Sequence, residues 1–257
     1  MRPPRVFPTP SSFVMLATLL TLACSRAPGA DPSARAAEAR VPLAVAGVRV
    51  TDLTSPDERP EGYALPDVTA WAAGELARAT SLRLTREPGA GAPSISLALL
   101  YGVVTSDRES TRTALAGSVL TAGVQANLAV AVPGEPPLTF QAERIAEQPL
   151  TEADAQGFGE ALSRQLEGLT RATLRQLDRK VALQHAAEAD VIATLSADDD
   201  ALIEYAATLV GERGLTAGAP RLLALLKSQN PALRLRAIGA LGQLRAAEAA
   251  GPLAALA

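Results

Sequence analysis

Few residues of this chain are of the kinds that carry out chemistry. It holds one histidine, His185, and one cysteine, Cys24. General acid–base work or a nucleophilic triad needs a histidine held by a partner. No Ser/Asp arrangement points to His185, which falls at the end of a long helical stretch. Asp198-Asp199-Asp200 could suggest a cation site, but calcium loops alternate their ligands and include a glycine for the turn. Three adjacent carboxylates ahead of a helix more simply cap it and favour its positive end. Gly157-Phe158-Gly159 lies inside a helical stretch and follows no strand, so it is not a phosphate-binding loop. A single cysteine permits no intramolecular disulfide, even in an exported compartment. The expectation is a non-enzymatic chain, with no catalytic residue, no metal ligand and no cofactor.

Cys24 has a different setting. Arg2 and Arg5 give a short basic start, and Phe13 to Ala23 is an apolar run too short to span a bilayer as a helix. Small Ala23 stands directly before the cysteine. Thr21-Leu22-Ala23-Cys24 resembles the lipobox of bacterial lipoproteins, with Thr21 a less usual first residue than leucine. The resemblance implies that residues 1–23 are a signal peptide and that Cys24 becomes the acylated first residue, carrying palmitate-type chains into the membrane. Ser25, rather than an aspartate, follows the cysteine. By the rule for enteric bacteria this implies the periplasmic face of the outer membrane. Residues 24–40, ending in Ser25 to Arg40, are small, polar and proline-bearing. They read as a lipidated tether spanning about 20–25 Å as a coil.

The whole chain has 24 basic and 27 acidic residues, and loss of Arg2 and Arg5 with the leader leaves a net charge of −5. Such a chain lacks the basic footprint for nucleic acid. It also lacks a polybasic patch for anionic headgroups, so the lipid on Cys24 must provide the membrane contact. Aromatic residues are only 3% of the chain, which favours helices over aromatic-lined clefts.

Residues 41–186 read as an α/β unit closed by a long helix. Leu43 to Thr51 looks like a strand. Pro66-Asp67 opens a helix whose Val68, Trp71, Ala72, Leu76 and Ala79 share a face. After the Pro88 to Gly91 turn the period becomes two. Ile95, Leu97, Leu99, Tyr101 and Val103 share one face of a strand over Ser94–Val104. Leu120 to Val132 alternates most clearly, with Thr121, Gln125 and Asn127 on its wetter side, which favours antiparallel pairing. Leu138, Phe140 and Ala142 belong to the last strand, which Pro149 stops. Thr151 and Asp154 have capping-box spacing. Phe158, Leu162, Leu166, Leu169, Leu177 and Val181 then form a stripe running to about His185. That stripe serves as a core face on the sheet or, in part, as a dimer seam. The expected class is α+β: a small antiparallel β-α-β-β-β-α sandwich followed by an α-helical repeat segment.

From residue 190 to 257 the chain repeats itself. At a shift of 31, Val191-Ile192-Ala193 lies over Leu222-Leu223-Ala224, Ala201-Leu202 over Ala232-Leu233, Ala206 over Ala237, and Val210-Gly211 over Leu241-Gly242. Ala219 to Ala249 is the best unit. Pro220 opens its first helix, Leu222, Leu223, Leu225 and Leu226 fill its core, and Asn230-Pro231 marks the turn. Leu233-Arg234 precedes the close-packing Ala237, Ala240 and Leu241. This unit resembles HEAT repeats of the short PBS-lyase type. The preceding unit departs from the pattern, with Ile203 at the arginine position and the three aspartates in the turn. Arg234 and Arg236 are the candidate partner-facing or repeat-structural residues. Anion binding is the sharp reading of Arg234, and the resemblance favours hydrogen bonding within its own repeat. Gly251-Pro252-Leu253 begins another first helix that stops at Ala257. Either the array is truncated there, or Leu253 and Leu256 meet another protein or a second copy of the chain.

The resemblance implies a non-enzymatic protein-interaction or assembly scaffold, anchored through Cys24 and binding a protein partner through the repeats. The alternative is an envelope-assembly or small-ligand-binding lipoprotein acting through its α/β part. The two parts are expected to separate near Glu188–Asp190.

Overall fold

A computed structural model describes residues 42–56, 59, 63–89, 91–104, 115, 117–249 and 254. The leader, Cys24, the tether, and Leu253 with Leu256 lie outside the described residues.

Strands β1 (Leu43–Val45) and β2 (Gly47–Asp52) precede helix α1 (Val68–Leu76). Strands β3 (Leu82–Leu84), β4 (Ser94–Val104), β5 (Val119–Val130) and β6 (Leu138–Pro149) follow it. The single first strand expected over 43–51 is therefore two, divided at Ala46, whose N–H donates to the Pro93 carbonyl at 2.8 Å. β1 pairs with β3, and β2 with β4, β5 and β6 in the order β2-β4-β5-β6. Pairing is antiparallel across β4, β5 and β6, as expected. β1–β3 and β2–β4 run parallel, which corrects the all-antiparallel expectation. The physical reason is α1: parallel strands need a long crossover, and this helix separates both pairs along the chain. Asp67 opens α1 by accepting from Ala70 N–H at 3.0 Å.

The buried sheet side carries Ile95, Leu97 and Leu99 on β4, with Leu120, Val124 and Leu128 on β5. Helix α2 (Glu152–Gln156) begins on the expected capping box of Thr151 and Asp154. It ends at Gly157, so this glycine breaks the helical stretch rather than lying inside it. Helix α3 (Phe158–Gln184) then crosses the sheet, burying Leu162, Leu166, Leu174 and Leu177. Burial of each leucine contributes about 1.5–3 kcal/mol. α1 and α3 pack on each other and on this one side of the sheet.

A second core begins where α3 ends. Val181 belongs to the first core and Leu183 to the second. Helices α4 (Glu188–Thr194) and α5 (Asp200–Arg213) make one pair, and α6 (Ala219–Leu225) and α7 (Pro231–Leu244) the next. The recurrence extends to their ends. Asp199 and Asn230 cap α5 and α7, accepting from Ala201 and Ala232 N–H at 3.2 and 2.9 Å. Gly214 and Arg245 end them in the left-handed region at φ 66° and 51°. Leu215 N–H returns to the Val210 carbonyl and Ala246 N–H to that of Leu241, at 2.9 and 3.2 Å, a Schellman-type closure. Short 3-10 turns follow at Thr216–Gly218 and Ala247–Ala249.

Candidate functional site

The candidate residues of the second helix pair are engaged within the array. Arg234 donates to the carbonyls of Ser228 and Gln229, at 2.8 and 3.1 Å. Those carbonyls follow the C-terminal end of α6, where a cation is favoured. Arg236 meets Glu204 on α5 at 2.8 Å, and nearby Asn230 donates to Asp200 at 2.7 Å. Gly211 lets the helices approach here. A Cβ on it would overlap the Gln243 amide oxygen and lie 3.1 Å from Ala240 Cα. α5 and α7 thus meet through Asp200, Glu204 and Gly211.

Two of the three consecutive aspartates do separate work. Asp199 caps α5 and takes Arg144 of β6 at 3.0 Å, with Arg179 at 4.0 Å. Asp200 serves the inter-pair contact with Asn230. Among the described residues, no group of three or more His, Cys, Asp or Glu side chains is placed to hold a metal ion. His185 is exposed at the C-cap of α3, where its backbone N–H donates to the Ala182 carbonyl at 3.2 Å.

Three polar clusters escape sequence reading. The first is a clamp: Asp178 on α3 accepts from Thr80 N–H and Oγ1 at 3.1 Å each, from Ser81 N–H at 2.8 Å and from Leu82 N–H at 2.9 Å. Its signal was an acid inside the apolar stripe, between Leu177 and Val181. The second joins the two cores. Tyr205 of α5 donates to Gln184 at 2.6 Å, packs against Phe140 with centroids 6.3 Å apart, and lies under the Lys180 ammonium at 5.8 Å. Lys180 also donates to the Gln141 carbonyl at 2.7 Å. Burial lowers the Lys180 pKa against the opposing pull of Glu204 and Asp199, and burial raises that of Tyr205. Arg213 at the end of α5 donates to the Leu183, Gln184 and Ala186 carbonyls, closing the exposed end of α3. The third cluster sits at the end of β2. Asp52 accepts from Tyr101 Oη at 3.1 Å and pairs with Arg59 at 3.1 Å. Burial, then the charge and hydrogen bond of Asp52, push the Tyr101 hydroxyl up to about 12.

These arrangements define a mixed α/β layer continued by stacked helix pairs, with polar side chains used to lock elements together. No family model matches the chain, and no curated protein matches it. Among solved structures it is similar to the crystal structure of the rare lipoprotein B from Shewanella oneidensis. Identity is 14%, over 59% of this chain and 99% of that one, with a TM-score of 0.27.

Proposed function

We propose that this chain is a lipid-anchored envelope protein whose stacked helix pairs serve as a non-enzymatic scaffold for a protein partner. Cys24 and its lipobox-like setting support the anchor, with the periplasmic face of the outer membrane as its place. One observation carries the scaffold reading. α7 repeats, one unit later, the side by which α5 receives α7. Glu204 and Gly211 of α5 correspond at 31 residues to Leu235 and Gly242 of α7, and both of these, with Gly239 between them, are exposed, Leu235 at 71%. Each unit of a repeat array buries its apolar side only against a neighbour, so a side left bare is open to a partner of the same shape. The partner is a protein that offers a helix to this ridge. Arg234 and Arg236 stabilise the ridge from within the array. Affinity capture from detergent-solubilised envelopes, run in parallel with the full chain and its Leu235→Glu variant, tests the reading. A protein retained by the first and lost by the second supports it. Equal capture by both would overturn it.

A further inference from the structure

The side of the sheet turned away from α1 and α3 carries a row of apolar residues at one level of the register. Leu100 of β4 stands opposite Gly123 of β5, and Gly123 opposite Ile145 of β6. Leu53 extends the row beyond β2, its N–H donating to the Leu99 carbonyl at 2.8 Å. Leu53, Leu100 and Ile145 are 51%, 38% and 51% exposed, and Val104, further along the same side, is 47%. Gly123 has a negative φ, so backbone conformation does not require glycine there. Glycine inside a strand weakens it and often marks a place where another group approaches closely. What it creates is a dent between Leu100 and Ile145.

The geometry points to a second copy of this chain as the occupant of that side. A two-fold axis lying over the sheet, parallel to the strands and midway between β4 and β5, exchanges β4 with β5 and β2 with β6. The row Leu53-Leu100-Gly123-Ile145 then falls on its own reverse. Leu100 of each copy enters the dent at Gly123 of the other, and Leu53 covers Ile145. Such reciprocity is what an isologous interface requires. Aligned sheets packed this way cross at about −30° because of their twist. The Leu100–Gly123 pair flanks the axis and is displaced least by that crossing.

Charge follows the same symmetry. Arg49, exposed on β2, lies at the level of Gln141 on β6, one row from Glu143. The two-fold brings each Arg49 beside the other copy's Glu143. On one flank of the row the two-fold places Ala98 on Gln125 and Ser96 on Asn127, and on the other it places Gly102 on Thr121. Four strands spaced about 4.8 Å apart, with β4 roughly 36 Å long, offer on the order of 600–700 Å² per copy. That approaches the roughly 800 Å² per partner of standard stable interfaces.

The test uses the chain from residue 24 with Cys24→Ser, so that no lipid drives association. It is run with and without Leu253→Glu/Leu256→Glu, which removes pairing through the C-terminal end. Light scattering and sedimentation over micromolar concentrations should show a dimer in both. Gly123→Leu is the decisive variant. A Cβ at this position lies 3.4 Å from Ile145 Cγ1 and 3.8 Å or more from the nearest carbonyl oxygens, ordinary van der Waals contact, and unchanged circular dichroism checks that the leucine leaves the fold intact. It fills the dent while adding apolar surface. Reciprocal insertion then weakens at least tenfold in dimer dissociation constant, whereas a merely adhesive patch would associate more strongly. Arg49→Glu and Glu143→Arg should each weaken the dimer several-fold, and the double exchange should restore it. A monomer throughout, or a dimer unaffected or strengthened by Gly123→Leu, overturns the proposal. So does a monomer that sediments with phosphatidylglycerol vesicles until Leu100→Glu releases it, since that makes the lipid surface the occupant.

Discussion

Asp178→Ala removes the carboxylate that ties α3 to the segment entering β3. Four donors converge on it between 2.8 and 3.1 Å. Alanine leaves no acceptor in their place. Leu82 is buried, so its N–H cannot turn to water, and a stranded buried donor costs about 1–3 kcal/mol. Ser81 is half-buried and Thr80 exposed, so water recovers most of what Thr80 loses and part of what Ser81 loses. Hydrogen bonds to a charged group contribute roughly 1.5–3 kcal/mol when they are not solvent-shared. With those weights the substitution should destabilise the protein by about 3–4 kcal/mol. For a chain of this size that lowers Tm by roughly 6–16 °C. Asp178→Asn keeps one oxygen for Ser81 and Leu82 but turns an amide donor toward Thr80, so about half the loss should remain. Urea unfolding followed by circular dichroism measures both. A loss under about 1 kcal/mol for alanine, or asparagine as damaging as alanine, would refute the clamp as the reason for this acid in the helix.

Gly211→Ala should be close to neutral, because the gain in helix propensity, about 1 kcal/mol, offsets a small shift of Gln243 and Ala240. Gly211→Leu should cost more than about 2 kcal/mol by forcing α5 and α7 apart, and thermal unfolding distinguishes the two. Tyr101 titrates in the folded chain at about 12, above its ordinary value of 10. Its contribution to stability is therefore complete below pH 10 and declines as pH rises from about 10 to 12. The stability difference between wild type and Tyr101→Phe should shrink across that window, and a constant difference would reject the assignment. Cys24→Ser should leave the chain with its leader uncleaved or release it into the soluble fraction. Intact mass showing an unmodified Cys24 at the mature start of the wild-type chain would remove the anchor.

The sequence was most legible where one side of an element is buried. The strands at Ser94–Val104 and from Leu120 onward alternate strictly, since their neighbours lie on one side only. The 31-residue recurrence was readable for a related reason: the caps Asp199 and Asn230 and the closures at Gly214 and Arg245 recur together with the leucines. β3 was missed because Leu82-Arg83-Leu84 is too short for a period, and its partner strand begins 39 residues earlier. The parallel β2–β4 pair was missed because alternation reports which side is buried, not strand direction. Asp178, Tyr205 and Arg213 were missed because each is defined by groups from distant segments, which spacing along the chain does not record. Arg234 and Arg236 were singled out through the repeat. Their partners became visible only when α5, α6 and α7 were assembled.

Site-specific photo-crosslinking from position 235 in intact cells tests the scaffold most directly. A photoreactive residue replacing Leu235 on the exposed ridge of α7 should form a discrete adduct with one envelope protein. The same residue at Lys227, exposed at the end of α6, should not. An adduct of equal yield from both positions, or none from position 235, would contradict the assignment of that ridge as the partner-binding surface.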